Sequence, residues 1–121
     1  MAVAYTPWMG SFTLNDTDAH QLSAILADAA YIAAAYHPFF GQFTGMAPKC
    51  QYLVIGNDFQ NGGKKLYIGN EGVSLTFFGD KLVAGQNVPF YSMETDLIRV
   101  DQIWVLADTT GLVVTVKLLT R

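Results

Sequence analysis

Two imidazoles and one thiol, His20, His37 and Cys50, are the versatile reactive groups of this chain. His20 follows Asp16 and Asp18 in NDTDAH, and a metal site could be drawn from that spacing. Oxygen-bearing side chains just before a helix more commonly cap its free N–H groups, so no metal site is expected. Cys50 could be paired with His37 as nucleophile and base. No third group orients such a pair, no cation is placed to stabilise a thiolate, and Cys50 opens an apolar run, so a buried structural thiol is expected. The carboxylates Asp58, Glu71, Asp80, Glu94, Asp96, Asp101 and Asp108 fall mainly at turns, where side-chain acceptors satisfy loose backbone donors. G-x-S-x-G, a P-loop, H-E-x-x-H and a G-x-G-x-x-G between strand and helix are missing from the sequence. The sequence therefore predicts no catalytic residues, no cofactor and no enzyme.

The composition turns attention from chemistry to contact. With 121 residues the chain has room for one domain. It is 51% hydrophobic, 13% aromatic and only 14% charged, where soluble domains average about 25% charged. So much apolar material predicts a homo-oligomer or a large partner. A net charge of -3, with seven basic residues scattered along the chain, offers no cationic patch for nucleic acid or an anionic membrane. The single cysteine excludes an internal disulfide. The start MAVAYTPWMG has no basic region ahead of an apolar run, so no signal peptide is expected, and no apolar stretch reaches the ~20 residues of a membrane span. Synthesis and use in a cytosol are expected.

Three regions must position these residues. Residues 1–12, with Tyr5, Trp8 and Phe12, read as a docked N-terminal arm or a first edge strand. Residues 18–48 read as a helix and loop insertion. Leu22, Ile25, Leu26, Ala29, Ile32, Ala33 and Tyr36 recur at helical spacing, Asp18 and Gln21 resemble a capping box, and Pro38 supplies a stop. A strand or two through the same alanines is the alternative. The loop that follows is rich in Phe39, Phe40, Phe43 and Met46, which suit a lid on the core or a contact surface.

Residues 50–121 read as the β core. CQYLVIGND and KKLYIGN flank Asn61-Gly62, whose readiness for positive φ predicts a hairpin turn. VSLTFF, KLVAG and NVPFYS are three further strands, with Pro89 placing the last at an edge. IRVDQIWVLAD and LVVTVKLL, split by Asp108 to Gly111, predict a second hairpin. Both faces of the last two strands are largely apolar, so both are expected to be covered. The fold class expected is mainly β, an antiparallel, jelly-roll-like β-sandwich with one short helix inserted in its N-terminal half.

The stretch LVIGNDFQNGGKKLYIGNEGVSLTFFGDKLVAGQNVPF, followed by DLIRVDQIWVLADTTGLVVTVKLL, resembles the small virion proteins of tailed bacteriophages, capsid decoration or cement proteins among them. The resemblance rests on Asn61-Gly62, Tyr67-Ile68-Gly69, Val73-Ser74, Leu82 to Gly85 and Val100 to Val105, and FTLNDTDAHQLS is similar to the opening strand and its exit. It covers about 80 residues in two pieces, with Ser23 to Pro48 as an insertion. It implies a β-sandwich, a symmetric oligomer with a trimer favoured and a dimer possible, the major capsid protein as partner, and a location on the virion surface after synthesis in the host cytoplasm. It implies no catalysis. Tyr5, Trp8, Phe39, Phe40, Phe43 and Met46 are the candidate subunit or capsid contacts, because aromatics and Met are enriched at interface cores. Two other readings are a tail, neck or fibre-base component, and a carbohydrate-binding sandwich using Tyr91, Trp104 or Phe77 with Asp80.

Overall fold

Alternation along the strands decides where the core lies. In the last strand Leu112, Val114 and Val116 are buried, while Val113 and Thr115 between them are half-buried. The structure, a computed structural model, describes residues 6–26, 49–91 and 98–120. Its elements are β1 (Thr6–Leu14), β2 (His20–Gln21), α1 (Leu22–Leu26), β3 (Lys49–Asn57), a 3-10 turn (Phe59–Asn61), β4 (Leu66–Gly69), β5 (Asp80–Leu82), β6 (Asn87–Tyr91), β7 (Ile98–Arg99), a second 3-10 turn (Val100–Gln102), β8 (Trp104–Ala107) and β9 (Leu112–Thr120).

These strands form two antiparallel sheets. One runs β1-β9-β3-β6, with β7 pairing the first residues of β3, and the other runs β2-β8-β4-β5. Phe12, Leu14, Leu53, Ile55, Leu112, Val114 and Val116 of the first sheet share a single core with Leu66, Ile68, Leu82, Val105 and Ala107 of the second. The chain is thus mainly β and sandwich-like. Helix α1 adds Leu22, Ile25 and Leu26 to the same core, and the Leu22 N–H donates to the Ile103 carbonyl at 2.9 Å. Of the two readings of the opening segment, an edge strand is what forms over Thr6–Leu14. The edge position of Pro89 is also found, since β6 ends its sheet.

Four local expectations are corrected. Asn61-Gly62 is a turn, with Gly62 at φ 61°, but not a hairpin: β3 pairs with β6, β7 and β9, and β4 pairs with β5 and β8. The turn is an arch from one sheet to the other. The segment 108–111 is a second arch, from β8 to β9, turning on Gly111 at φ 78°. Both lie at the same end of the sandwich, where the Lys65 N–H donates to Asp108 Oδ1 at 2.8 Å and Lys64 Nζ to the Gly111 carbonyl at 3.2 Å.

VSLTFF is not a strand. Ser74 Oγ accepts from the Thr76 and Phe77 N–H groups, and that local turn displaces the ladder its β-favouring residues suggest. Nor does the Asp18–Gln21 capping box form. His20 and Gln21 belong to β2 opposite Val105 and Trp104, the Asp18 N–H donates to Asp16 Oδ1 at 3.0 Å, and the Gln21 amide donates to the Asp101 carbonyl at 2.8 Å. The rest of the expected helix, residues 27–36, lies outside the described residues.

Two buried amides hold the first arch. Asn57 Nδ2 donates to the Lys64 and Leu82 carbonyls at 3.0 and 2.8 Å, and its Oδ1 accepts from Asn61 Nδ2. Asn61 also mimics a strand partner: its Oδ1 accepts from the Val113 N–H at 2.9 Å and its Nδ2 donates to the Val113 carbonyl at 2.7 Å. The side chain thereby satisfies backbone groups of β9 where β3 leaves the sheet.

Candidate functional site

The β2-β8-β4-β5 sheet is built from strands of only two to four residues. Segment 70–79 folds over it, with Val73 packing on Tyr67 and Leu106, Ala19 and Trp104 at the margin, and the Phe78 ring edge-on to Tyr67 at 4.9 Å. Coverage of the second face of β8 thus comes from the same chain, while the outer row of β9 stays half open.

At one end of this roof lies a cleft of about 550 Å³ lined by Gln21, Asn70, Glu71, Asp101, Gln102 and Trp104. Strand register assembles it: Gln21 of β2 and Gly69 of β4 both stand opposite Trp104 of β8. Asn70 and Glu71 then follow β4 directly, and Asp101 and Gln102 come from the 3-10 turn before β8. Several groups are held by one end only. Gln21 is anchored through its amide nitrogen, and Asn70 through Oδ1, which accepts from the Gly72 N–H at 2.9 Å. The Arg99 guanidinium grips the Asp101 carboxylate at 2.8 and 3.2 Å. The Glu71 carboxylate, the Gln102 amide and the Trp104 indole N–H have no hydrogen-bond partner among the described residues.

A second feature is apolar. Phe59, Leu75, Phe77, Phe78, Val83 and Tyr91 are exposed, Phe59 to 75% and Tyr91 to 68%. Tyr91 lies 5.1 Å from Tyr52 across β6 and β3, and its hydroxyl raises the Tyr52 phenol above the usual value. Of the residues named for a sugar-binding surface, Tyr91 belongs to the five-stranded sheet and Trp104 has the amides of the cleft as neighbours.

The reactive residues resolve as follows. Cys50 is fully buried, and desolvation pushes its thiol up to about 12, so it is the structural thiol expected. A bulge between Cys50 and Tyr52, opposite β9, lets Cys50 and Leu53 both face inward despite the three-residue step. His20 Nε2 meets Asp16 Oδ1 at 2.7 Å, and this bond, followed by that from the Asp18 N–H, holds the Asp16 carboxyl below its ordinary value. No group of three or more His, Cys, Asp or Glu side chains suited to a metal gathers among the described residues.

Of the candidate contacts, Trp8 stands opposite Leu118 in the β1–β9 register, and its side chain lies outside the described residues. Tyr5, Phe39, Phe40, Phe43 and Met46 lie outside them altogether, as does His37. The cleft residues Gln21, Asn70, Glu71 and Gln102 were not legible in sequence, because positions 21, 70–71 and 101–104 meet only through the pairing β2-β8-β4. No family model, no curated protein and no solved structure matches this chain. No helix among the described residues is long and apolar enough to cross a membrane.

Proposed function

We propose that this protein is a capsid decoration or cement protein of a tailed bacteriophage, binding the outer surface of the assembled major capsid shell and stabilising it without catalysis. The observation that carries the reading is the set of large apolar side chains held out on turns and on an edge strand, Phe59, Leu75, Phe77, Phe78 and Tyr91. Aromatics in such positions are the residues that anchor interfaces. The motif resemblance supplies the kind of partner.

A protein that binds only the assembled shell shifts the assembly equilibrium by mass action. A trimer engaging several capsid subunits at once turns modest contacts into a long-lived attachment. The test is the copy number of the protein in purified particles, by quantitative mass spectrometry against the major capsid protein. A near-stoichiometric ratio is the expected result. A few copies per particle would move the protein to the tail, neck or fibre base, and absence from particles would overturn the virion reading.

A further inference from the structure

We infer that the cleft around Trp104 is a binding site for a neutral saccharide. The volume, about 550 Å³, is that of a small-ligand site, but its lining is of amides and carboxylates around one indole, which disfavours an apolar ligand. An anion finds no cation among the lining residues Gln21, Asn70, Glu71, Asp101, Gln102 and Trp104. A cationic ligand would need concentrated negative charge, and of the two carboxylates present Asp101 is already neutralised by the fork of Arg99. Three amides remain as the dominant chemistry.

A primary amide offers a donor and an acceptor about the width of a vicinal diol apart, so it suits hydroxyl groups that donate and accept together. The groups are presented for that use. Gln21, tied through nitrogen to the Asp101 carbonyl, leaves its oxygen as acceptor, and Asn70, tied through oxygen to the Gly72 N–H, leaves its nitrogen as donor. Gln102, Glu71 and the Trp104 N–H add further positions without partners among the described residues. The half-buried indole adds an apolar surface for the C–H face of a pyranose ring, and its place between β2 and β4 in the register fixes it on paired strands rather than on a loop. The cleft shares no residue with the exposed apolar side chains proposed for capsid attachment.

The test is ¹H–¹⁵N NMR of the full chain titrated separately with maltotriose, cellotriose, mannotriose and N-acetyllactosamine, with trilysine as a cationic probe. At least one neutral probe is expected to shift the Trp104 indole N–H and the Gln21, Asn70 and Gln102 side-chain amides saturably. Gln102→Ala, at an exposed position, is expected to keep the melting temperature and weaken that binding about tenfold. Trp104→Phe, which preserves an aromatic surface but loses the N–H, should weaken it less than Trp104→Ala. Cleft resonances unmoved by all four saccharides, affinity unchanged in Gln102→Ala, or shifts produced by trilysine alone would each overturn the assignment.

Discussion

The five-stranded sheet is framed by β1, β3 and β9, each nine residues long, whereas no strand of the four-stranded sheet exceeds four. The long strands fix their own register through long ladders, interrupted only by the bulge at Cys50–Tyr52, and leave an outer row in which Ser11, Thr13, Val54, Val113 and Thr115 are half-buried and Lys117 is exposed. The short strands lean on side chains and on a folded-over segment: Gln21 reaches the 3-10 turn, Asn57 reaches Leu82 beside β4, and Val73 packs on Tyr67 and Leu106. Where ladders are long, polar groups are consumed by the backbone. Where they are short, polar side chains end at the surface with bonds still to make, and that is where the cleft lies.

That contrast can be broken by mutation, beginning with the shared core. Leu53→Ala, at a fully buried site of the long-stranded sheet, is expected to lower unfolding free energy by about 3 kcal/mol in urea titrations. Leu106→Ala, beneath the roof of the other sheet, should cost about half as much, and an equal loss would make the roof part of the main core. Next comes the arch. Asn57→Ala leaves the Lys64 and Leu82 carbonyls and the Asn61 amide short of partners, for a loss of about 2 kcal/mol by the same measurement. Gly62→Ala forces an alanine to φ 61° and should cost about 1–2 kcal/mol.

Two predictions concern protons. Because burial raises the Cys50 thiol to about 12, the unfolded chain releases its proton first as pH climbs above the ordinary thiol value of 9.0. Stability should therefore fall between those two values more steeply in the wild type than in Cys50→Ala, and the native thiol should resist a disulfide reagent at about pH 8 until the protein is unfolded. The smallest effect belongs to Asp16, half exposed beside His20. Its carboxyl is lowered from 3.8, so its stabilising contribution is present above that value and disappears as pH falls through the folded one. Asp16→Asn should cost about 0.3 kcal/mol at neutral pH, screened by salt, with the difference from wild type vanishing in acid.

How far the sequence could be read differs by level. Most strand positions, the edge Pro89, the buried Cys50 and the mainly β class follow from local pattern, because alternation and turn chemistry act over a few residues; the run IRVDQIWVLAD does not stay one strand, being split by the 3-10 turn Val100–Gln102. Pairing does not. Asn61-Gly62 bends the chain equally well in a hairpin or an arch, and what decides for the arch is Asn61 bonding to Val113, fifty-two positions away. VSLTFF departs from its strand-like composition for a local reason, the Ser74 hydroxyl that accepts from the Thr76 and Phe77 N–H groups. The cleft was illegible because its amides come from three separate stretches, each unremarkable alone.

The pairing of β1 with β9, from Thr6 opposite Thr120 to Leu14 opposite Leu112, closes the long stretch of chain between them into one loop. During synthesis β1 therefore leaves the ribosome long before any residue of β9 exists. Until β9 has been made, the nascent chain carries the edge of β3 that β9 will occupy without its native neighbour. Such long-range closure is slow to form, and β9, the strand between β1 and β3, completes the sheet. Tension applied at the two strand ends would open this ladder one bond after another, since Thr6 and Thr120 sit side by side.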